Sequence, residues 1–368
     1  MTRMSKTVVV KVGTSSITNE DGEISQESVS KICSEAAALK SSGNDVVIVT
    51  SGAIAAGLPF LALTGENRPQ DPSTLQAISA VGQGSLIGTY REELAKHQLL
   101  TGQVLLAPLD FFVRSQYLHA RNTLMRLIDL GVIPVVNEND AIADDEIRFG
   151  DNDRIAALVA HLVEADLLVL LTDTSGLFTA DPRMDSEASL IEEIIEIDQE
   201  MERYAGGSSS DRGSGGMASK LAAAKIASWS GVRTVIADAS RAEILEDACN
   251  GVNGIGTVVH PRDARLSARK LWIAFAVGSS GQIMVDSGAC KALERRASLL
   301  PTGVVKSVGH FEAGDAVEIV DEKSKIFAKG IVRQNSEDVM SNAGLNTSQL
   351  PDGISHEVIH TDDLVILP

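Results

Sequence analysis

From Thr7 to Asp238, short runs of branched apolar residues alternate with longer stretches whose apolar positions recur on one helical face. The runs TVVVKV (7–12), DVVIVT (45–50), GQVLLA (102–107), VIPVVN (132–137), DLLVLLT (166–172) and RTVIAD (233–238) are short and almost continuously apolar, which predicts strands buried on both faces. The stretches 27–42, 72–97, 115–130, 152–164 and 218–230 predict helices, and Asp71-Pro72 supplies an N-cap followed by proline at the first helical position. Alternating strands and helices predict an α/β fold with a mainly parallel central sheet covered on both faces. In such sheets ligands sit beyond the carboxyl ends of the strands, so the loops after each run are where chemistry is expected.

The pattern changes near residue 260. There HPRDARLSARK forms a polar, basic connector, followed by shorter pieces that read as strands: GQIMVD (281–286), AVEIVD (316–321), KIFAKGIVR (325–333) and LVILP (364–368). With glycines between them, these predict a small β-rich barrel. The expected division is therefore residues 1–260 and 270–368.

Composition narrows the class. At 368 residues with 44% hydrophobic and 22% charged side chains, the chain has an ordinary globular balance and suffices for two domains. A net charge of −18 argues against general affinity for nucleic acid or an anionic membrane. Cys33, Cys249 and Cys290 lie far apart with no C-x-x-C pairing, so neither a disulfide framework nor a zinc site is suggested, and no metal-ligating residues are assigned. The chain enters its first strand at once and has no run of about 18 apolar residues, so a cytoplasmic protein outside the membrane is expected.

Candidate chemistry gathers where the apolar runs end. KVGTSS places Lys11 inside the first strand with Gly13 and three small polar residues beyond it. TSGAIAAG puts Ser51 and Gly52 at a helix start, where free N–H groups favour anions. The fourth run leads into NENDAIADDEIRFGDND (137–153), in which seven of seventeen residues are acidic and only Arg148 is basic. Asp151 is placed to cap the helix that follows, with Asn137 and Asn139 supporting the loop. Asp144, Asp145 and Glu146 read as solvated loop charge. TDTSGLFTADPR (172–183) is turn-rich, and GSGGMASK (213–220) is a glycine loop running into a helix at Lys220, suited to close approach by phosphate. The P-loop spacing G-x-x-x-x-G-K-[ST] and the dinucleotide fingerprint G-x-G-x-x-G do not occur.

KVGTS, TSGAIAAG, YLHARNTL, GVIPVVNEND, FGDND, LLTDTSGLFTADPR and GSGGMASK, in this order, resemble the glutamate 5-kinases of the amino-acid kinase family. Residues from about 270 onward resemble the PUA domain that many of them carry. His119 in YLHARNTL, where relatives often have Asn, and the run GGSSSDRG are departures. The resemblance implies a three-layer amino-acid kinase fold and transfer of the ATP γ-phosphoryl group to the side-chain carboxylate of L-glutamate, the first step toward proline. It implies catalytic roles for Lys11, Lys220, Asp153 and Gly52, and substrate contacts from Ser51, Asp140 and Asn152. It also implies ATP contacts from Lys11, Gly13, Thr172, Asp173, Ser214, Gly215, Gly216, Met217 and Lys220. Mg2+ is expected with ATP, proline as a feedback inhibitor, and a homo-oligomer, dimer or tetramer.

Two other classes are weighed against this. A kinase of the same fold acting on aspartate, N-acetylglutamate, carbamate or a nucleotide is one, since fold does not fix substrate, but NEND followed by FGDND argues against it. An RNA-binding protein is the other, because PUA domains occur in such proteins. From Arg265 to Pro368 there are 11 Lys/Arg against 13 Asp/Glu, a balance of −2, and RNA binding by this part is not expected.

Overall fold

A computed structural model describes residues 5–63, 65, 68–111, 113–142, 152–206, 216–263, 265–275, 277–351, 353 and 355–367. The chain divides into two compact units, Met1–Arg265 and Leu266–Pro368.

In the first unit the elements run β1 (Thr7–Val12), α1 (Thr14–Ile17), α2 (Gln26–Ser41), β2 (Asp45–Thr50), α3 (Ala53–Gly57), α4 (Pro72–Lys96) and β3 (Thr101–Leu106). There follow α5 (Arg114–Asp129), β4 (Ile133–Glu138), α6 (Asn152–Leu162), β5 (Leu167–Thr172), β6 (Glu193–Ile194), α7 (Gln199–Gly206), α8 (Met217–Trp229), β7 (Arg233–Asp238), α9 (Ile244–Asn250) and β8 (Thr257–Val259). The sheet order is β3-β4-β2-β1-β5-β7-β8-β6, parallel throughout except where β8 pairs antiparallel with β7. The six apolar runs form the six main strands within a residue of their expected bounds. The two short strands β6 and β8 lie at one edge, where their length leaves no period to read.

β1 lies between β2 and β5, so its residues alternate between two covered faces. Val8, Val10 and Val12 enter a core with Val29 and Ile32 of α2, Leu86, Tyr90 and Leu94 of α4, and Ile244 of α9. Val9 and Lys11 point to the opposite layer, where α6 packs on β1 and α8 on α6. A lysine in a central strand is thereby carried into the interior, 3% exposed, which rules out an edge position with its ammonium in water.

On the other face, α4 crosses α3 at very short range. A Cβ on Gly82 would stand 2.0 Å from the Ala53 carbonyl oxygen and 2.3 Å from the Gly57 nitrogen, and one on Gly57 would stand 2.2 Å from the Ile78 carbonyl oxygen. Only hydrogen atoms fit, so the two glycines fix how α4 lies over the ends of β2 and β4.

The second unit contains α10 (Ala268–Phe275), β9 (Gly281–Val285), α11 (Ser287–Glu294), β10 (Val304–Gly309), β11 (Ala316–Val320), β12 (Ile326–Ile331), α12 (Ser336–Ser341) and β13 (Leu364–Ile366). Its five-stranded sheet has the order β10-β9-β11-β12-β13 around a separate apolar core including Ile283, Phe311, Ile319 and Val358. β10 was not anticipated, since its exposed Val305, Lys306 and Val308 blur the alternation of an amphipathic strand.

Gly82→Ala and Gly84→Ala, two residues apart on α4, are expected to have opposite effects. The first forces backbone apart and costs about 2 kcal/mol or more. The second adds its methyl where nothing lies within 4 Å and gains about 0.5–1 kcal/mol of helix propensity. Urea unfolding of both variants checks this; a stabilised Gly82→Ala would refute the close crossing.

Candidate active site

The carboxyl ends of β1, β2, β4 and β5 lie side by side: Val12 pairs with Thr50 and with Leu171, and Val49 with Val136. Against them stand the first turns of α6 and α8. Lys11 Nζ lies 2.5 Å from Asp153 Oδ1, and Lys220 Nζ lies 3.3 Å from Asp153 Oδ2. All three groups are buried, Asp153 completely. Ser219 Oγ lies 2.8 Å from the same Oδ2 and 2.9 Å from the Gly216 carbonyl oxygen.

Burial alone would raise the Asp153 carboxyl, but the charges of Lys11 and Lys220 and the bonds from Lys11 and Ser219 outweigh it and hold it below the ordinary 3.8. Desolvated charges are tolerated only when paired and hydrogen-bonded, and here one anion serves two cations. Among the described residues, two ammonium groups close on this one carboxylate. Such a pair of cations in a low-dielectric site, beside Gly216, suits an anion that gains charge during reaction. Gly13 adjoins this centre. A Cβ on it would stand 3.5 Å from Lys11 Nζ and 4.0 Å from the Leu171 carbonyl oxygen, so glycine leaves that space open to a ligand rather than answering a clash.

Asn152, one residue before Asp153, turns the other way. Its Nδ2 donates to Ser51 Oγ at 3.0 Å, whereas its buried Oδ1 finds no partner among the described residues. A buried acceptor left unmatched costs about 1–3 kcal/mol, and a donor arriving with a ligand would relieve that cost. Ser51 follows β2 and its amide donates to the Val12 carbonyl, while Gly52 takes φ +103, a left-handed conformation that favours glycine. Asp140 stands on the short turn after β4, and its Oδ2 accepts a 2.6 Å bond from Ser79 of α4. Burial pushes the Asp140 carboxyl up, with the Ser79 bond working against that rise. Asn137 is buried, donating from Nδ2 to Gln83 Oε1 at 2.7 Å and accepting the Glu138 amide on Oδ1 at 2.9 Å.

At the end of β5, Thr172 is buried, with Oγ1 donating to Asp173 Oδ1 at 3.1 Å and its carbonyl accepting the Ala239 amide at 2.8 Å. Gly216 is extended and caps α8; Met217 is partly buried against a cluster with Leu177 and Leu221. Lys11, Asp153 and Lys220 thus meet directly, as do Ser51 and Asn152. Ser214 and Gly215 lie outside the described residues, as do Asp144, Asp145, Glu146, Arg148 and Asp151.

Sequence reasoning missed Ser219, Ser79 and Gln83. Ser219 could have been suspected, as a hydroxyl in the first turn of a helix directly before a candidate lysine. Ser79 and Gln83 gave no signal, because their partners are more than fifty residues away.

The fold and this site define a phosphoryl-transfer enzyme. The chain belongs to the amino acid kinase family, whose model matches residues 6–238, and within it to the glutamate 5-kinases; a PUA domain model matches residues 281–353. It is 44% identical to the glutamate 5-kinase of Caldanaerobacter subterraneus subsp. tengcongensis over 98% of this chain and 97% of that one. It is 43% identical to that of Nitrosospira multiformis over 99% of each. Among solved structures, carbamate kinase from Giardia lamblia bound to AMP-PNP aligns with TM-score 0.51 and 19% identity over 70% of this chain and 99% of that one, a likeness of fold.

Asp153→Asn leaves two buried lysines facing one another, and at pH 7 a loss of about 3–5 kcal/mol is expected. A carboxylate held below 3.8 when folded stabilises above that value and ceases to do so as pH falls toward its lower folded value. The difference between wild type and variant should therefore be full near neutrality and shrink below about pH 4. Urea unfolding across pH checks it, and a difference that stays constant would show that the lysines do not hold this carboxylate charged.

Proposed function

We propose that this chain transfers the γ-phosphoryl group of ATP to the side-chain carboxylate of L-glutamate, giving an acyl phosphate, with Lys11 and Lys220 as the cations of the reaction. The observation that carries this reading is the pair of buried lysines held by Asp153. At neutral pH the acceptor is already an ionised nucleophile, so no general base is required. What remains is to align donor and acceptor and to neutralise charge on the transferring group, which two fixed ammonium groups do. Asp153 positions them. Gly13 and Gly52 supply backbone amides, and Thr172, Asp173 and the loop Ser214, Gly215, Gly216, Met217 form the rest of the ATP site. Mg2+ enters with ATP, held chiefly by phosphate oxygens and water.

For the acceptor, Asp140 takes the α-ammonium and Ser51 and Asn152 its remaining polar groups. Asn152 Oδ1, buried and unmatched among the described residues, supports this because an amino acid brings donors as well as carboxylates. Proline presents the same α-carboxylate and a cationic amine, and is the inhibitor this reading expects. A homo-oligomer and a cytoplasmic location belong to the same reading, the free thiols Cys33, Cys249 and Cys290 fitting a reducing compartment. The carboxyl-terminal unit is assigned no catalytic group and no RNA.

Trapping the acyl phosphate with hydroxylamine, given ATP, magnesium and a panel of amino acids, tests the reaction; hydroxamate formed from aspartate or N-acetylglutamate and not from glutamate would overturn it. Lys11→Ala and Lys220→Ala should each lower kcat by about 100-fold or more, a loss of roughly 3 kcal/mol of transition-state stabilisation. Near-normal kcat with only a raised KM would make that lysine a ground-state binder.

Asp140→Ala should reduce kcat/KM for glutamate by more than about tenfold with little change in the KM for ATP. Glutarate, which lacks the ammonium, separates binding from bulk effects: wild type should reject it, and the variant should discriminate less. Equal discrimination by both would remove Asp140 from this role.

A further inference from the structure

Helix α4 carries polar groups on its inward face that the reaction leaves without a role. Ser79 and Gln83 are one helical turn apart, and both reach the end of β4, Ser79 to Asp140 and Gln83 to Asn137. A third group on α4, Tyr90, shares a 2.9 Å bond between its hydroxyl and Thr50 Oγ1, immediately before Ser51. Gly82, between Ser79 and Gln83, is the residue pressed against Gly57 and Ala53. The hydroxyl of Ser79 is thus presented by a helix whose position is fixed by backbone packing.

A serine inside a helix ordinarily turns its hydroxyl to water or to the carbonyl four residues before. Ser79 is 3% exposed, and its hydroxyl donates to a carboxylate 61 residues on. Asp140 needs such a partner, because it stands on a turn of three residues, Asp140–Ile142, and the last torsion of an aspartate is soft. Among the described residues no hydrogen bond occupies Oδ1, while the bond to Oδ2 restrains the carboxylate. It also favours the ionised form that burial opposes.

We propose that Ser79 is a positioning residue for amino-acid recognition: it holds Asp140 Oδ2 so that the carboxylate is oriented toward the acceptor's ammonium, and so sets the preference for an amino acid over a plain dicarboxylate. This rests on the role given above to Asp140. Ser79 touches neither phosphate nor reacting carboxylate, so its effect belongs in acceptor binding and not in the transfer step.

The test is a double-mutant cycle of Ser79→Ala and Asp140→Asn in the intact chain, read by steady-state kinetics with glutamate and with glutarate. Alanine suits a helix interior better than serine, so the fold is expected to survive, and a thermal melt verifies it. Ser79→Ala should raise the KM for glutamate about tenfold while kcat and the KM for ATP change less than about twofold and glutarate turnover is unaffected. In the double variant the loss should not exceed that of Asp140→Asn alone, because both changes remove the same interaction. Multiplicative losses would overturn the proposal, placing the hydroxyl's effect elsewhere, as would parallel losses in kcat, both KM values and melting temperature. A normal glutamate KM in Ser79→Ala beside a raised one in Asp140→Asn would overturn the role of Ser79 alone. A normal KM in Asp140→Asn would overturn the reading of Asp140 itself.

Discussion

One buried carboxylate decides whether this site can exist. Lys11 and Lys220 sit in surroundings where an isolated ammonium is severely penalised, and two of them side by side would repel as well. Asp153 touches both, and Ser219 occupies the same Oδ2, so the carboxylate is satisfied from several directions at once. Each partner reaches it for a local reason. Strand parity turns Lys11 away from the valine-rich face, while Asp153 and Lys220 occupy the first turns of adjoining helices. The pair of ammonium groups is then set by the fold before any ligand arrives, and in the proposed reaction a pre-arranged charge needs no reorganisation when phosphate charge builds up.

Consecutive residues join the two halves of the site. Asp153 belongs to the lysines and Asn152 to Ser51, so on the proposed assignment a single helix start reaches both the phosphoryl side and the acceptor side. In-line transfer depends on holding donor and acceptor within a few tenths of an ångström, and elements that share a rigid turn move together. The acceptor side is braced independently from the opposite layer. There the glycine contact between α3 and α4 seats a helix whose Ser79, Gln83 and Tyr90 tie down the ends of β4 and β2.

What could be read from the chain follows from the range of each interaction. Buried strands and amphipathic helices announce themselves by local period, and the six main strands and the five long helices were legible. Lys11 was legible as chemistry because a lysine in a run of valines contradicts its surroundings. The lysine pair with Asp153 needed the resemblance, since nothing local relates residues 11, 153 and 220. Ser79 and Gln83 were illegible in principle: on a helix with Ala77, Ala80 and Gly84 as neighbours they read as ordinary small or polar positions, and only the crossing at Gly57 and Gly82 gives them partners. β8 was missed because a strand of three residues, set between β7 and the edge strand β6, offers no alternation to detect.

A chain of net charge −18 that accepts ATP and a dicarboxylate looks self-defeating until distance and dielectric are separated. Charges on the solvated surface act through water and salt and are screened beyond about 8 Å at physiological ionic strength. Lys11 and Lys220 act within a site that water barely enters, where the same charge at the same distance is worth several times more. The acidic surface therefore weakens only the distant approach of an anion, while on the proposed assignment the buried pair governs the bound state. A strongly basic surface would add affinity for polyanions of every kind without distinguishing ATP among them. On the assignment proposed above, an acidic exterior around two buried lysines disfavours anions that stay at the surface, and selectivity follows from the contrast between the two.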